Sequence, residues 1–194
     1  MGYWLNAYLV APGQMAKVIG SNDESLTQQA LVHHSPVNDV LFAPASDGVS
    51  MVDAISEVLA AGPFKRGSAH QYVYAFQALC AAAGRRLADT NWGDLPMSAM
   101  DEIDVALEAA GRTTRLEDLV FNDGANDYQK GRGLPVPMDV PVLSVISFEQ
   151  AKDLVADLDG FELAEIEDQE VIDGLRDACE QAIAVGGELV LFYS

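Results

Sequence analysis

Apolar residues recur along this chain at two periods, and the change from one to the other marks its elements. Residues 3–10, YWLNAYLV, and residues 188–193, ELVLFY, are short aromatic and aliphatic runs bounded by Ala11-Pro12-Gly13 and Gly186-Gly187. They predict strands at the two ends of the chain. In the first, Trp4, Asn6 and Tyr8 share one face and Tyr3, Leu5, Ala7 and Leu9 the other. Residues 142–146 predict a third strand. Most of the remainder follows the helical period. The clearest case is residues 68–86, where Tyr72, Phe76, Leu79, Cys80 and Ala83 form one stripe. Ser68 with Gln71 predicts a capping box at its start, Gly84 a left-handed end, and Arg85 and Arg86 a match to the negative pole of the helix dipole.

Other helices are expected over residues 14–19 and 23–33, the second capped by Ser21 or Asn22. His33 and His34 at its end suit the dipole there, and no further metal ligands lie near in sequence. Ser50 and Asp53 predict a second capping box ahead of Val52, Ile55 and Leu59, with Gly62-Pro63 as the stop. Residues 98–110 read as an amphipathic helix with Met100, Ile103 and Leu107 inside and Asp101, Asp104 and Glu108 outside. A short helix over 114–121 turns Leu116, Leu119 and Val120 inward. Ser147 with Gln150 opens a third box and a helix to Leu158 that buries Ala151, Leu154, Val155 and Leu158. After an extended piece over 161–166, the last helix runs over 169–185. It buries Val171, Ile172, Leu175, Cys179, Ala182 and Ile183, opposite Glu170, Asp173, Asp177 and Glu180.

Residues 35–47 and a turn at 91–95 holding Trp92 read as loops. Residues 122–141 form the longest irregular stretch, rich in Gly, Asn, Asp and Pro. It lacks the ligand spacing of an EF-hand and the Lys-Ser or Lys-Thr of a phosphate loop. The whole predicts one α+β domain over 1–194, with a small, mostly antiparallel sheet containing both terminal strands and about six to seven helices packed on it.

Charge narrows the function classes. The 194 residues carry 30 acids and 11 bases, a formal net charge of −19. Residues 1–96 hold 8 acids and 5 bases, and residues 97–194 hold 22 and 6. A nucleic-acid ligand and an anionic membrane surface both require the basic residues that are scarce here. The first segment lacks a basic leader region and no apolar run is long enough to span a bilayer, so a cytoplasmic location is expected. Cys80 and Cys179 both fall on apolar helix faces and read as reduced core residues, with a bridge between the two helices as the alternative.

The opening Met1-Gly2-Tyr3-Trp4-Leu5-Asn6-Ala7-Tyr8-Leu9-Val10, the central His70-Gln71-Tyr72-Val73-Tyr74-Ala75-Phe76-Gln77-Ala78-Leu79-Cys80 and the closing Gly187-Glu188-Leu189-Val190-Leu191-Phe192-Tyr193 together resemble a group of bacterial proteins. That group is similar in layout to the YfbM-like domains of unknown function. The resemblance implies an α+β fold and no assigned catalytic residue.

No nucleophile elbow, dinucleotide fingerprint, HExxH or CxxC is present, so no catalytic residue, cofactor or metal is assigned. Three readings stay open. One is an acidic domain that docks a basic protein through Asp101, Asp104, Glu108, Glu170, Asp173, Asp177 and Glu180, an immunity-type protein being one concrete form. Another is an enzyme or small-ligand binder with a pocket near His70, Tyr72, Tyr74 and Trp92. The last is a housekeeping domain whose acidity serves only solubility. A docking face should gather acids around an apolar spot, whereas an enzyme should show a pocket converging on His70.

Overall fold

The computed structural model describes residues 5–33, 48–87, 95–122, 133–138 and 141–194. Four antiparallel strands form one sheet in the order β2-β1-β4-β3: β1 Leu5–Val10, β2 Arg85–Arg86, β3 Val142–Ile146 and β4 Glu188–Tyr193. The two terminal strands are therefore its central pair, in register from Leu5 opposite Tyr193 to Val10 opposite Glu188. The fold is α+β, with the N- and C-terminal strands sharing one sheet as expected. Among the described residues there are eight α-helices: α1 Gln14–Val18, α2 Glu24–His33, α3 Met51–Leu59, α4 Ala69–Ala83, α5 Met97–Ala109, α6 Leu116–Val120, α7 Phe148–Asp157 and α8 Ile166–Val185.

The period of two in the strands decides where the helices go. Tyr8, Val10, Leu143, Val190 and Phe192 point to one side and pack with residues of α1 to α4. Ala7, Leu9, Ile146, Leu189, Leu191 and Tyr193 point to the other and pack with α5 to α8. Both faces of the sheet are covered, so its central strands are apolar at nearly every position. Phe76 and Leu79 are fully buried, and Phe76 meets Phe192 of β4 with ring centroids 6.4 Å apart. Cys80 and Cys179 are free and buried, and they belong to the cores on opposite sides of the sheet, which rules out the bridge. Burial pushes both thiols up, Cys179 to about 12.

Several local expectations change. Ser68 does not cap α4: it lies in a 3₁₀ turn, Arg66–Ser68, and its hydroxyl accepts the Val49 amide instead. Gly84 ends α4 in an extended rather than left-handed conformation (φ −118°, ψ −154°). A Cβ there would lie 2.6 Å from the Leu9 carbonyl oxygen, so the glycine serves close approach to β1. Arg85 and Arg86 then form β2 against β1 instead of a helix end. Val52 on α3 is exposed, and Met51, Ala54, Ile55, Val58 and Leu59 are the buried stripe. The segment expected to be extended, 161–166, is irregular up to the start of α8 at Ile166, three residues earlier than expected. The Gln169 side chain holds that segment by accepting the Leu163 amide at 2.6 Å. Ser50 accepts the Asp53 amide as expected, and Ser147 with Gln150 makes a complete capping box.

Candidate functional site

The sheet separates two layers of unequal charge. Helices α1 to α4 contain three acids (Glu24, Asp53, Glu57) and one base, Lys17. Helices α5 to α8 contain fifteen acids and two bases, Lys152 and Arg176. In the described helices the uneven charge along the chain is thus an uneven charge across the sheet.

Within the acidic layer the expected residues divide. Asp101 and Glu108 stand exposed on α5, but Asp104 is buried, 6% exposed, and does not belong to the outer face. Its two carboxylate oxygens accept the amides of Leu116 at 2.6 Å and Glu117 at 3.2 Å, and Arg115 approaches at 3.7 Å. Asp104 therefore satisfies the first donors of α6, whose own N-cap residue, Arg115, offers no capping side chain. On α8, Asp173 is tied to Arg176 at 2.6 Å and to the Gln169 side chain at 2.9 Å. Asp177 accepts from Gln181, which in turn accepts from Arg85. Among the described residues, Asp101, Glu108, Glu170 and Glu180 have no ion-pair partner.

The outer face of α5 also carries apolar side chains. Met97 is 46% and Val105 68% exposed. Met97, Asp101, Val105 and Glu108 fall within roughly 80° of arc at 3.6 residues per turn, so apolar and acidic groups alternate along one stripe. Sequence reasoning missed Val105; its signal is a β-branched apolar residue set among Asp101, Glu102 and Glu108, where a solvated face has no need of one.

Asp157 at the end of α7 ties the connection before α6. Its carboxylate accepts the amides of Thr113 at 2.9 Å and Thr114 at 2.7 Å, and Arg112 donates to the carbonyls of Asp157 and Asp159. Desolvation raises the Asp157 carboxyl, but the bonds from Thr114 and Thr113 outweigh it and hold the group below its usual range.

Of the residues expected to form a pocket, the two tyrosines are buried and point to different sides of α4. Tyr72 is fully buried; its hydroxyl donates to Glu57 and accepts the Lys65 amide at 2.9 Å. Burial first, then the Glu57 contact, pushes it up to about 12. Tyr74 sits two positions on, turned roughly 200° around the same helix, and is raised to about 12 by burial. Both tyrosines are core residues. His70 is half-buried at the start of α4, and Trp92 lies outside the described residues. A cleft of about 580 Å³ does lie near Tyr72, and among the described residues its walls are Phe64, Arg66, Gly133, Leu134, Pro135 and Val136. Phe64 stands edge-on to Tyr72 with centroids 5.0 Å apart. No helix among the described residues is long and apolar enough to cross a membrane, and none of those residues forms a group of three or more potential metal ligands.

An antiparallel sheet between a near-neutral and a strongly acidic helical layer defines an α+β protein whose most distinctive surface is electrostatic. The chain belongs to the family described as Domain of unknown function (DUF7691), which it matches over residues 1–194. No curated protein and no solved structure matches it.

Proposed function

We propose that this is a cytoplasmic bacterial binding protein that docks a basic protein partner on its acidic layer, an immunity-type protein that neutralises a basic toxin being the concrete form. The observation that supports this reading is the α5 stripe, where exposed Met97 and Val105 alternate with Asp101 and Glu108. Charge alone would serve solubility. Apolar groups among the charges supply the contact that a docking surface needs at its centre, while the surrounding acids speed encounter with an oppositely charged partner. The likeness in layout to the YfbM-like domains belongs with this proposal and adds no catalytic residue to it.

Affinity capture from the source organism's lysate tests the reading, using the wild-type chain and the triple variant Asp101→Asn, Val105→Ser, Glu108→Gln. A specific basic protein should be captured by the wild type at low salt, and lost both at high salt and with the variant. Equal capture by both chains would remove α5 from recognition.

A further inference from the structure

The acidic layer makes no use of the opposite side of the molecule, where Phe64 and Leu134 pack with the core beneath α1 to α4. We propose that the cleft there is a binding site for a small apolar carboxylate, its tail lying on Phe64, Pro135 and Val136 and its carboxylate meeting Arg66. This goes beyond the docking of a basic protein and uses a different surface.

The dimensions and the chemistry of the walls agree. A volume of about 580 Å³ falls in the range of small-ligand sites, which are mostly apolar with a few placed polar groups. Arg66 supplies that polar group. Among the described residues it is the one arginine whose guanidinium has no partner: Arg85 bonds Gln181, Arg86 bonds Asn6, Arg112 bonds two carbonyls, Arg115 pairs with Glu117 and Arg176 with Asp173. In a chain of 30 acids and 11 bases an unpaired arginine beside an apolar cleft can receive an anion, and its planar fork suits a carboxylate.

The wall is also held in place before any ligand arrives. The Lys65 amide donates to the Tyr72 hydroxyl, Phe64 is seated against the Tyr72 ring, and Leu134 is buried. Gly133 has φ +78°, and a Cβ on it would come 3.7 Å from the Phe64 ring, so the 133–136 segment runs close beside that ring. A preformed wall lowers the ordering cost of binding. Among the described residues the acids nearest the cleft wall are Glu57 and Asp53, both of which act on the Tyr72 hydroxyl. The Glu57 carboxylate is engaged by the Tyr72 hydroxyl. The acidic helices pack on the other face of the sheet, and salt screens charges lying beyond about 8 Å.

The test is a titration of the ¹⁵N-labelled full chain with octanoate and with its neutral counterpart, octanol. Octanoate should shift the amides of Phe64, Gly133, Leu134 and Val136 and bind roughly tenfold or more tighter than octanol. Arg66→Gln, at an exposed position, should bring octanoate down to the affinity of octanol while leaving octanol binding unchanged, and Arg66→Lys should retain part of the difference. Shifts confined to other regions, or none at millimolar octanoate, overturn the site. Equal affinity of the wild-type chain for the two ligands overturns the role of Arg66, and needs no variant to be made. Since neither ligand engages the acidic layer, failure here is distinct from failure of protein capture.

Discussion

The Asp104 carboxylate and the Leu116 amide, twelve residues apart in the chain, meet at 2.6 Å beneath the surface between α5 and α6. Together with the Glu117 bond this makes Asp104 a cap supplied by one helix to the next. Asp104→Ala should cost about 2–4 kcal/mol, because two charge-assisted bonds are lost and two amides are left without acceptors. Asp101→Ala, one turn earlier and exposed, should stay within about 0.5 kcal/mol of wild type. Urea titrations of both variants measure the contrast; equal losses would return Asp104 to the outer face.

Gly84→Ala places a methyl group 2.6 Å from the Leu9 carbonyl oxygen and 2.7 Å from Val10 Cγ1. Backbone must move to admit it, so a loss of about 1–3 kcal/mol or more is expected, as for overpacked cores. An alanine tolerated there at no cost in melting temperature would show that α4 and β1 can separate freely.

Removing the last seven residues deletes all of β4, which pairs with both β1 and β3. The two helical layers then lose the strand on which both pack, and cooperative unfolding should disappear from a calorimetric scan. Phe76→Ala, which leaves the sheet intact but empties the space beside Phe192, should cost about 3–5 kcal/mol and keep a single transition.

Tyr72 sets an alkaline limit. Its ionisation is raised to about 12 in the folded chain, against about 10 for a free tyrosine. The fold thus favours the neutral phenol. That contribution is complete below about pH 10 and is lost as pH rises towards 12. Tyr72→Phe removes this dependence and the bonds to Glu57 and Lys65 together. The variant should be less stable at neutral pH, and its deficit should narrow above pH 10. A deficit that stays constant to pH 12 would mean that Tyr72 ionises as readily folded as unfolded.

On α8, Glu170 and Glu180 lack, among the described residues, the partners that Asp173 and Asp177 have. Changing only these two to Gln should leave stability unchanged or raise it by a few tenths of a kcal/mol, as repulsion along the helix is relieved. Association with a captured basic partner should slow, and its rate should depend less on salt. Rates unaffected by both mutation and salt would leave this row as a solvated surface.

The sheet and its terminal strands were legible because a period of two is unambiguous when turn residues bound it. The side-chain N-cap at Ser50, half of the expected box, and the full capping box at Ser147 were legible because they are local, joining residues three apart. The third, at Ser68, failed for a long-range reason: the Val49 amide, nineteen residues earlier, claims the hydroxyl. Asp104 failed in the same way. Its helical position lies between the buried stripe and the exposed one, and periodicity cannot say which side a boundary residue joins. The missing cap at the start of α6 was the available signal, since Arg115 cannot accept the helix's free amides and some other group must. Tyr72 and Tyr74, expected beside His70 in a pocket, are buried in the core, and spacing along one helix gives no information about what loops bring to its side. Phe64, Arg66 and the 133–136 segment meet across about seventy positions of sequence.

The division of charge across the sheet gives the molecule a direction. With fifteen acids in the described helices on one side and three on the other, these helices set up a field along the sheet normal that would draw a cation towards the α5–α8 side before contact. Bound to a cationic matrix or a basic partner, the molecule would stand with that side down and the Phe64 cleft facing outward. The two proposed surfaces lie on opposite sides of the sheet, so a chain immobilised through its acids should still take up octanoate.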